Sequence, residues 1–364
     1  MISRREFVGG AAAAAGALAA SSATLAAAKK AGGTAPATGA GKIRRGVATY
    51  SYQEEVFVHT MTVEDCMREM SDIGAKHFEL IAEMLVPNFP NPSTQWVDQW
   101  HGWMEKYDLH PACYTQFIDS LRTKTHVLNL EEGVETMMRD IRLAKLLGVP
   151  RIRALVGTPI DILEATIPHL EKEDIWMGVE IHFPIPIKGH LVERLRKLAD
   201  RTDHFGFVPD FGIFQNKPNP YNRDRMIRDG AISADAAHFV ENSWENKVPK
   251  DKVKADLAKM SAGPGAIGFT EVTYMIQPQD PRDLLPFISK CRHIHGKTWG
   301  LTEDCVDPAI DLTQVIPVLQ KGGYDGAIAT EYEGQRMVQD VYPFSSVEMV
   351  RRHQVMLRRL LGEI

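Results

Sequence analysis

Two rhythms of apolar residues alternate along this chain. Short apolar runs bounded by glycine, proline or polar clusters are separated by longer stretches in which apolar residues recur every three or four positions, the periods of buried strands and of amphipathic helices. The short runs are GVATY (46–50), HFELI (77–81), HPACY (110–114), RIRALV (151–156), MGVEIHF (177–183), FGFVPDF (205–211), CRHIHG (291–296) and GAIATEY (326–332). Between them lie VEDCMREMSDIG, WVDQWHGWMEKY, EEGVETMMRDIRLAKLLG, HLVERLRKLAD and LTQVIPVLQKGG, several closing on a glycine as helix C-termini do. Eight strand-helix units over residues 44–364 predict an α/β fold, a (β/α)8 TIM barrel, in preference to a doubly wound sheet.

One connection is far longer than the rest. Between the sixth and seventh runs an insertion of about residues 214–262 holds the Pro/Asn-rich NKPNPYNRDR and a charged helical stretch, KDKVKADLAKM. Loops that follow barrel strands sit at the C-terminal face, so a lid or partner-docking element over the mouth is expected, with a second helical layer as the alternative. Trp96, Trp100 and Trp103 form a helical stripe, read as core packing before sugar stacking.

The first 28 residues change the picture of where the chain works. MISRREFVGGAAAAAGALAASSATLAAA pairs Arg4 and Arg5 with Phe7 and an Ala/Gly stretch too weakly apolar for a stable span, and it resembles a Tat-type export signal with cleavage near Ala28. A periplasmic or secreted protein is therefore expected, with residues 29–43 as a Gly/Ala/Pro-rich linker and no membrane span. A formal charge of -5 with both signs interspersed leaves no basic stripe for nucleic acid. Cys66, Cys113, Cys291 and Cys305 lie far apart without a CxxC pair, so free thiols are expected in place of a zinc knuckle or disulfide framework.

Candidate chemistry gathers at the later strand ends. Within GVEIHFP, positions i and i+2 of a strand share a face, so Glu180 and His182 should stand side by side before Pro184. Strands five to eight deliver Glu180, Asp210, His295 and Glu331 in turn, and barrel strand ends converge on one mouth. Three carboxylates and one imidazole make an oxygen-rich set that suits one divalent ion, Mn2+ first, with Mg2+, Co2+, Fe2+ or Zn2+ as alternatives. Lys297 shares the face of His295 and is a candidate for binding an oxyanion or a sugar hydroxyl, or else faces solvent. Glu333 is an alternative to Glu331 as ligand. Of Glu79, Glu83, His101 and Tyr114 near the earlier strands, Glu83 and Tyr114 are preferred for substrate contact.

The order Glu, Asp, His, Glu on the last four strands is similar to that of the xylose-isomerase-like barrel superfamily, the sugar phosphate isomerase/epimerase family. A closer likeness lies in GVEIHFP, GFVPDFGIFQNKPN, HIHGKTW, ATEYEG, FELIAEMLVPNFPNP and PACYTQF, which look like the metal-binding subunit of the C-glycoside deglycosidases. The resemblance implies that Glu180, Asp210, His295 and Glu331 hold the metal, that the substrate is a sugar or 3-oxo-glycoside, and that a small β-rich partner subunit or a homo-oligomer completes the protein. Many epimerases of the superfamily carry a histidine three residues after the Asp, where this chain has Ile213. His182 is accordingly the candidate general base, with support of a ligand carboxylate as its alternative role. The expected activity is removal of a proton next to a metal-polarised sugar carbonyl, leading to isomerisation, epimerisation or β-elimination. Phosphodiester cleavage and a non-catalytic exported sugar-binding subunit are the competing classes.

Overall fold

Several strands begin just after a glycine or another residue with left-handed backbone, among them Gly74, Asp108, Gly148, Asp174 and Gly323. The computed structural model describes residues 42–119, 125–334 and 345–364. The expected export signal at 1–28 and the linker up to residue 41 lie outside the described residues. The strands are β1 (Arg44–Ala48), β2 (His77–Ile81), β3 (His110–Gln116), β4 (Arg151–Ala154), β5 (Trp176–Ile181), β6 (Phe205–Pro209), β7 (His293–Thr298) and β8 (Ala327–Tyr332). Neighbours pair in parallel in the order β6-β5-β4-β3-β2-β1-β8-β7. Two parallel bridges, Phe207 to Cys291 and Asp210 to His295, join β6 to β7 and bring the barrel to closure.

The expected strands all form, with shifted ends. Thr49–Tyr52 leaves β1 early because it folds into a 3-10 turn, and β5 stops at Ile181, so His182 lies beyond the strand. Helices Val63–Asp72 and Leu130–Leu146 start at capping boxes, Thr62 with Asp65 and Asn129 with Glu132. The sequence pattern missed two further helices, Ile160–Glu173 and Ser346–Leu360. The tryptophan stripe is packing: Trp100 is buried, Trp96 stacks on it with centroids 5.7 Å apart, and the Trp100 Nε1–H donates to the Leu147 carbonyl at 3.0 Å. All four cysteines are free thiols.

Between β6 and β7 the chain builds four helices, Pro220–Arg228, Ala234–Glu245, Lys250–Lys259 and Pro264–Met275. Their apolar faces form a small core of their own that includes Ala237, Val240, Val253, Leu257 and Phe269. The inserted helices thus run past residue 262, where the sequence pattern ends them, because Gly263 and Pro264 open a new helix there.

The Ser346–Leu360 helix seals the seam between β1 and β8. Gln354 Nε2 donates to the Gly46 carbonyl and to Thr330 Oγ1, both at 2.7 Å, and the Thr330 hydroxyl in turn donates to His353 Nδ1 at 2.7 Å. Burial pushes the His353 imidazole down to about 3. Below the ordinary histidine value of about 6.5 the unfolded chain binds a proton that the folded chain refuses, so stability is lost as pH falls from there toward about 3. Urea unfolding should show His353→Gln losing roughly 2 kcal/mol less than the wild type between pH 7 and pH 5. Equal losses would mean that this histidine is not buried neutral.

Candidate metal centre

Glu180 near the end of β5, Asp210 just past β6, His295 in β7 and Glu331 in β8 converge at the barrel mouth, all buried. One donor atom from each lies within 4.8 Å of the other three. His295 Nδ1 is 2.8 Å from Glu180 Oε1, 3.3 Å from Glu331 Oε2 and 3.7 Å from Asp210 Oδ2. Asp210 Oδ2, His295 Nδ1 and Glu331 Oε2 are nonetheless buried without a hydrogen bond of acceptable geometry. Leaving such groups unsatisfied costs on the order of 1–3 kcal/mol each, so three of them aimed at one point fit a divalent cation. The donor set, three hard oxygens and one imidazole nitrogen, fits the same class of ion.

Local backbone explains how Asp210 arrives there. It caps the 3-10 turn Phe211–Phe214, accepting the Gly212 N–H at Oδ1 over 2.6 Å, which leaves Oδ2 to the cluster. A Cβ on Gly212 would sit 2.7 Å from Asp210 Oδ1, so the turn needs glycine at this position. Ile213, in the place of the epimerase histidine, is buried in the core.

Behind the four residues stands a support that the sequence reading passed over. Glu79 in β2 accepts from His295 Nε2 and His293 Nε2, each at 2.7 Å, and from the Thr115 hydroxyl. The Nε2–H donated to Glu79 turns Nδ1 toward the cluster, as the nitrogen that would bind a metal once its own proton leaves. The trio Glu79, His293 and His295 also has donor atoms within 4.8 Å of one another, but both its histidine nitrogens are already engaged as donors to the carboxylate. Arg153 in β4 spans the two layers, 3.6 Å from Glu79 Oε1 and 3.6 Å from Glu180 Oε2. Alternation in RIRA and HIH marks Arg153 and His293 as inward-facing partners of the chemistry.

The charges settle one another. Burial would raise the Glu180 carboxyl, but Arg153 and His295 bring it down to about 2. Burial drives Asp210 upward despite the pull of Lys297. Burial would depress the His295 imidazole, and the carboxylates, Glu331 and Glu79 foremost, instead hold it well above its usual value. Lys297 is 2% exposed, with Nζ 2.8 Å from Glu331 Oε2, 3.4 Å from Asp210 Oδ2 and 2.7 Å from Glu333 Oε2. Burial would lower its pKa, yet those carboxylates raise it well above normal, so the ammonium is fixed in its charged form. The solvent-facing alternative for Lys297 is thereby corrected. Glu333 sits with Lys297 and the Tyr50 hydroxyl, outside the four-donor group.

The other expected residues fall elsewhere. His182 is not side by side with Glu180 on a strand, because β5 has ended; its Nδ1 lies 2.5 Å from the Phe183 carbonyl oxygen, within electrostatic reach of Asp210. Tyr114 faces the helical layer, its hydroxyl 3.2 Å from Asp140 Oδ1, because its neighbour Thr115 takes the inward direction. Glu83 lies in the short helix after β2, 3.6 Å from Arg139. Neither Tyr114 nor Glu83 joins the cluster.

An eight-stranded parallel barrel with a Glu, Asp, His, Glu cluster at its mouth places the chain among the TIM barrels. This chain belongs to the xylose isomerase-like TIM barrel family, whose model matches residues 67–359. It is 26% identical over 347 residues to the 3'-dehydrocarminate deglycosidase alpha subunit of Microbacterium sp., covering 88% of this chain and 96% of that one. Over 333 residues it is 23% identical to a C-glycoside deglycosidase alpha subunit of Arthrobacter globiformis, covering 88% and 93%. Among solved structures, L-ribulose 3-epimerase shares the fold with a TM-score of 0.53 at 11% identity over 88% of this chain and 95% of that one. A sugar phosphate isomerase/epimerase from Parabacteroides distasonis does so with a TM-score of 0.52 at 13% identity, over 90% and 96%.

Asp210→Ala and His295→Ala should each abolish tight Mn2+ binding, read by elemental analysis and calorimetry. Glu79→Gln, which keeps the shape but loses the negative charge and one acceptor oxygen, should weaken binding about 10- to 100-fold. Full metal content in the Asp210 and His295 variants would remove them as ligands.

Proposed function

We propose that this chain is a divalent-metal-dependent carbohydrate-active enzyme that removes a proton next to a sugar carbonyl, and that its reaction is β-elimination from a 3-oxo-glycoside. The four converging donor atoms, three of them buried without a hydrogen bond of acceptable geometry, carry this proposal. The two relatives named as deglycosidase alpha subunits favour elimination over isomerisation or epimerisation. Both relatives are alpha subunits, which supports a partner chain for this protein as well.

Glu180, Asp210, His295 and Glu331 would hold the ion, Mn2+ first among the candidates. When bound, a divalent cation polarises a carbonyl oxygen as a Lewis acid. His182 is the proposed base: with Nδ1–H donated to the Phe183 carbonyl, Nε2 keeps its lone pair. It takes the proton from the carbon beside the carbonyl, and the electron pair of that C–H bond moves toward the carbonyl oxygen. The Lys297 ammonium, held among Asp210, Glu331 and Glu333, stabilises the negative charge that develops there. As the carbonyl re-forms, the bond to the group on the next carbon breaks, that group leaves with its electron pair and takes up the proton that His182 accepted, and a conjugated double bond remains in the sugar while His182 returns to its neutral form.

His182→Gln should keep the metal and lose about 10² to 10⁴ in turnover, the usual worth of a positioned base. In deuterated water the wild type should exchange the hydrogen beside the carbonyl of a 3-oxo-glycoside even when the leaving group is poor. Full exchange in the variant would take His182 out of the mechanism, and a wild type that never exchanges that hydrogen would defeat proton abstraction itself.

The proposal extends to export through the Arg4-Arg5 pair. Changing both to lysine should leave the precursor in the cytoplasm, as seen by fractionation. Mature protein in the periplasm of a Tat-deficient host would show that the segment works differently.

A further inference from the structure

At the end of the barrel opposite the four-donor cluster, the strands begin with basic side chains. Arg44 opens β1, His77 opens β2, His110 opens β3 and Arg151 opens β4, and Arg292 stands one residue before β7. Register gives their direction. Glu79 and Arg153 meet inside the barrel, so His77 and Arg151, two residues earlier on the same strands, point inward as well. Gly46 pairs with His77 and Ala48 with Glu79, which turns Arg44 to the same face, while Arg45 faces out to Gln354 and Glu363. The rings of His77 and His110 lie with centroids 5.5 Å apart, and the Arg292 guanidinium is 5.9 Å from the Trp176 ring centre.

This layer lacks negative charge. Among the described residues no carboxylate forms an ion pair with Arg44, Arg151 or Arg292; Arg44 and Arg151 donate to the Asp325 and Ala112 carbonyl oxygens. Arg44 Nε is buried without a hydrogen bond. The acids of this end are engaged elsewhere: Glu363 with Arg45 at 2.8 Å, Asp108 with Lys76 at 3.3 Å and Asp203 with Lys290 at 3.0 Å. Burial, and then Arg44, His110 and Arg151, push the His77 imidazole down to about 4. Burial also lowers the Arg151 guanidinium from its ordinary value, and Arg44 and Arg292 add to that. Like charges gathered in a half-buried layer oppose folding until a counter-charge joins them. An open groove of about 620 Å3, bounded by Lys42, Gly74 and Leu361, reaches Arg44 and His77 from solvent.

We propose that Arg44, His77, Arg151 and Arg292, at the N-terminal end of the barrel, bind a tetrahedral oxyanion of the phosphate class, either free or as the end of a phosphate monoester. A guanidinium fork matches two oxygens of such a group at once, and a neutral imidazole still offers one N–H. The site is separate from the metal centre, because Glu79 and Arg153 form a layer of side chains between the two. It does not depend on the reaction proposed above.

Calorimetry on the full chain should show inorganic phosphate binding once per chain, and Arg151→Gln and Arg292→Gln should each lose at least about tenfold in affinity, the worth of one hydrogen bond to a charged group. Arg292 is exposed, so its variant tests the site even where Arg151→Gln fails to fold. Thermal unfolding supplies a second readout. In chloride at matched ionic strength, Arg292→Gln should unfold no lower than the wild type, since it relieves repulsion; about 5 mM phosphate, too dilute for general salting effects, should then raise the wild type more than the variant. Glycerol 3-phosphate identifies the source: affinity at least equal to that of inorganic phosphate assigns the site to an ester, weaker binding assigns it to the free ion, and either result upholds the oxyanion site. No phosphate binding in the wild type, or binding unchanged in both variants, would overturn it.

Discussion

The Glu79 carboxylate reaches across the barrel from β2 to β7 and holds His295 and His293 at 2.7 Å each, and the mouth depends on that contact. It decides which imidazole nitrogen faces the cluster. It also carries a negative charge into the interior, where an unpaired carboxylate would be costly. Two N–H donors, the Thr115 hydroxyl and the nearby Arg153 guanidinium meet that cost. Although burial acts in the opposite direction, His295 and His293 hold the Glu79 carboxyl well below its usual range, so the charge stays.

From there the electrostatics propagate outward in layers. Arg153 faces Glu79 on one side and Glu180 on the other, so the supporting layer and the candidate ligands share one cation. Lys297 does the same between Glu331, Asp210 and Glu333. Between these two fixed positive groups, the donor atoms of Asp210, His295 and Glu331 remain without hydrogen bonds. A barrel gives such an arrangement rigidity, because Glu79, Arg153, Glu180, His295, Lys297 and Glu331 ride on strands paired in one sheet.

The insertion has a different physical character. Its four helices share an apolar core of their own, so they can carry side chains over the mouth without borrowing order from the barrel. Phe269 belongs to that small core and also lines a cavity of about 150 Å3 together with His182 and Trp299, which couples the packing of the insertion to the barrel mouth. A cluster carried by the strands beside a separately packed segment is an arrangement that loops after barrel strands permit.

The sequence by itself determined the barrel and the four clustered residues. Buried parallel strands need continuous apolar runs, and a polar residue that interrupts such a run near its end stands out, as Glu180, Asp210, His295 and Glu331 do. Tertiary structure alone decided the rest, because it depends on distance across the barrel. Glu79 was visible in HFELI, but its meeting with His293 and His295, more than 200 positions away, follows only from closure of the sheet. Alternation around Thr115 turned Tyr114 outward to Asp140, a direction that depends on where the strand register falls. His182 looked like a strand partner of Glu180 until β5 ended at Ile181, since strand ends are set by competing turns that periodicity does not record. The cavity between Trp299 and Phe269 has no sequence signature, because its walls come from segments that meet only once the inserted helices have packed.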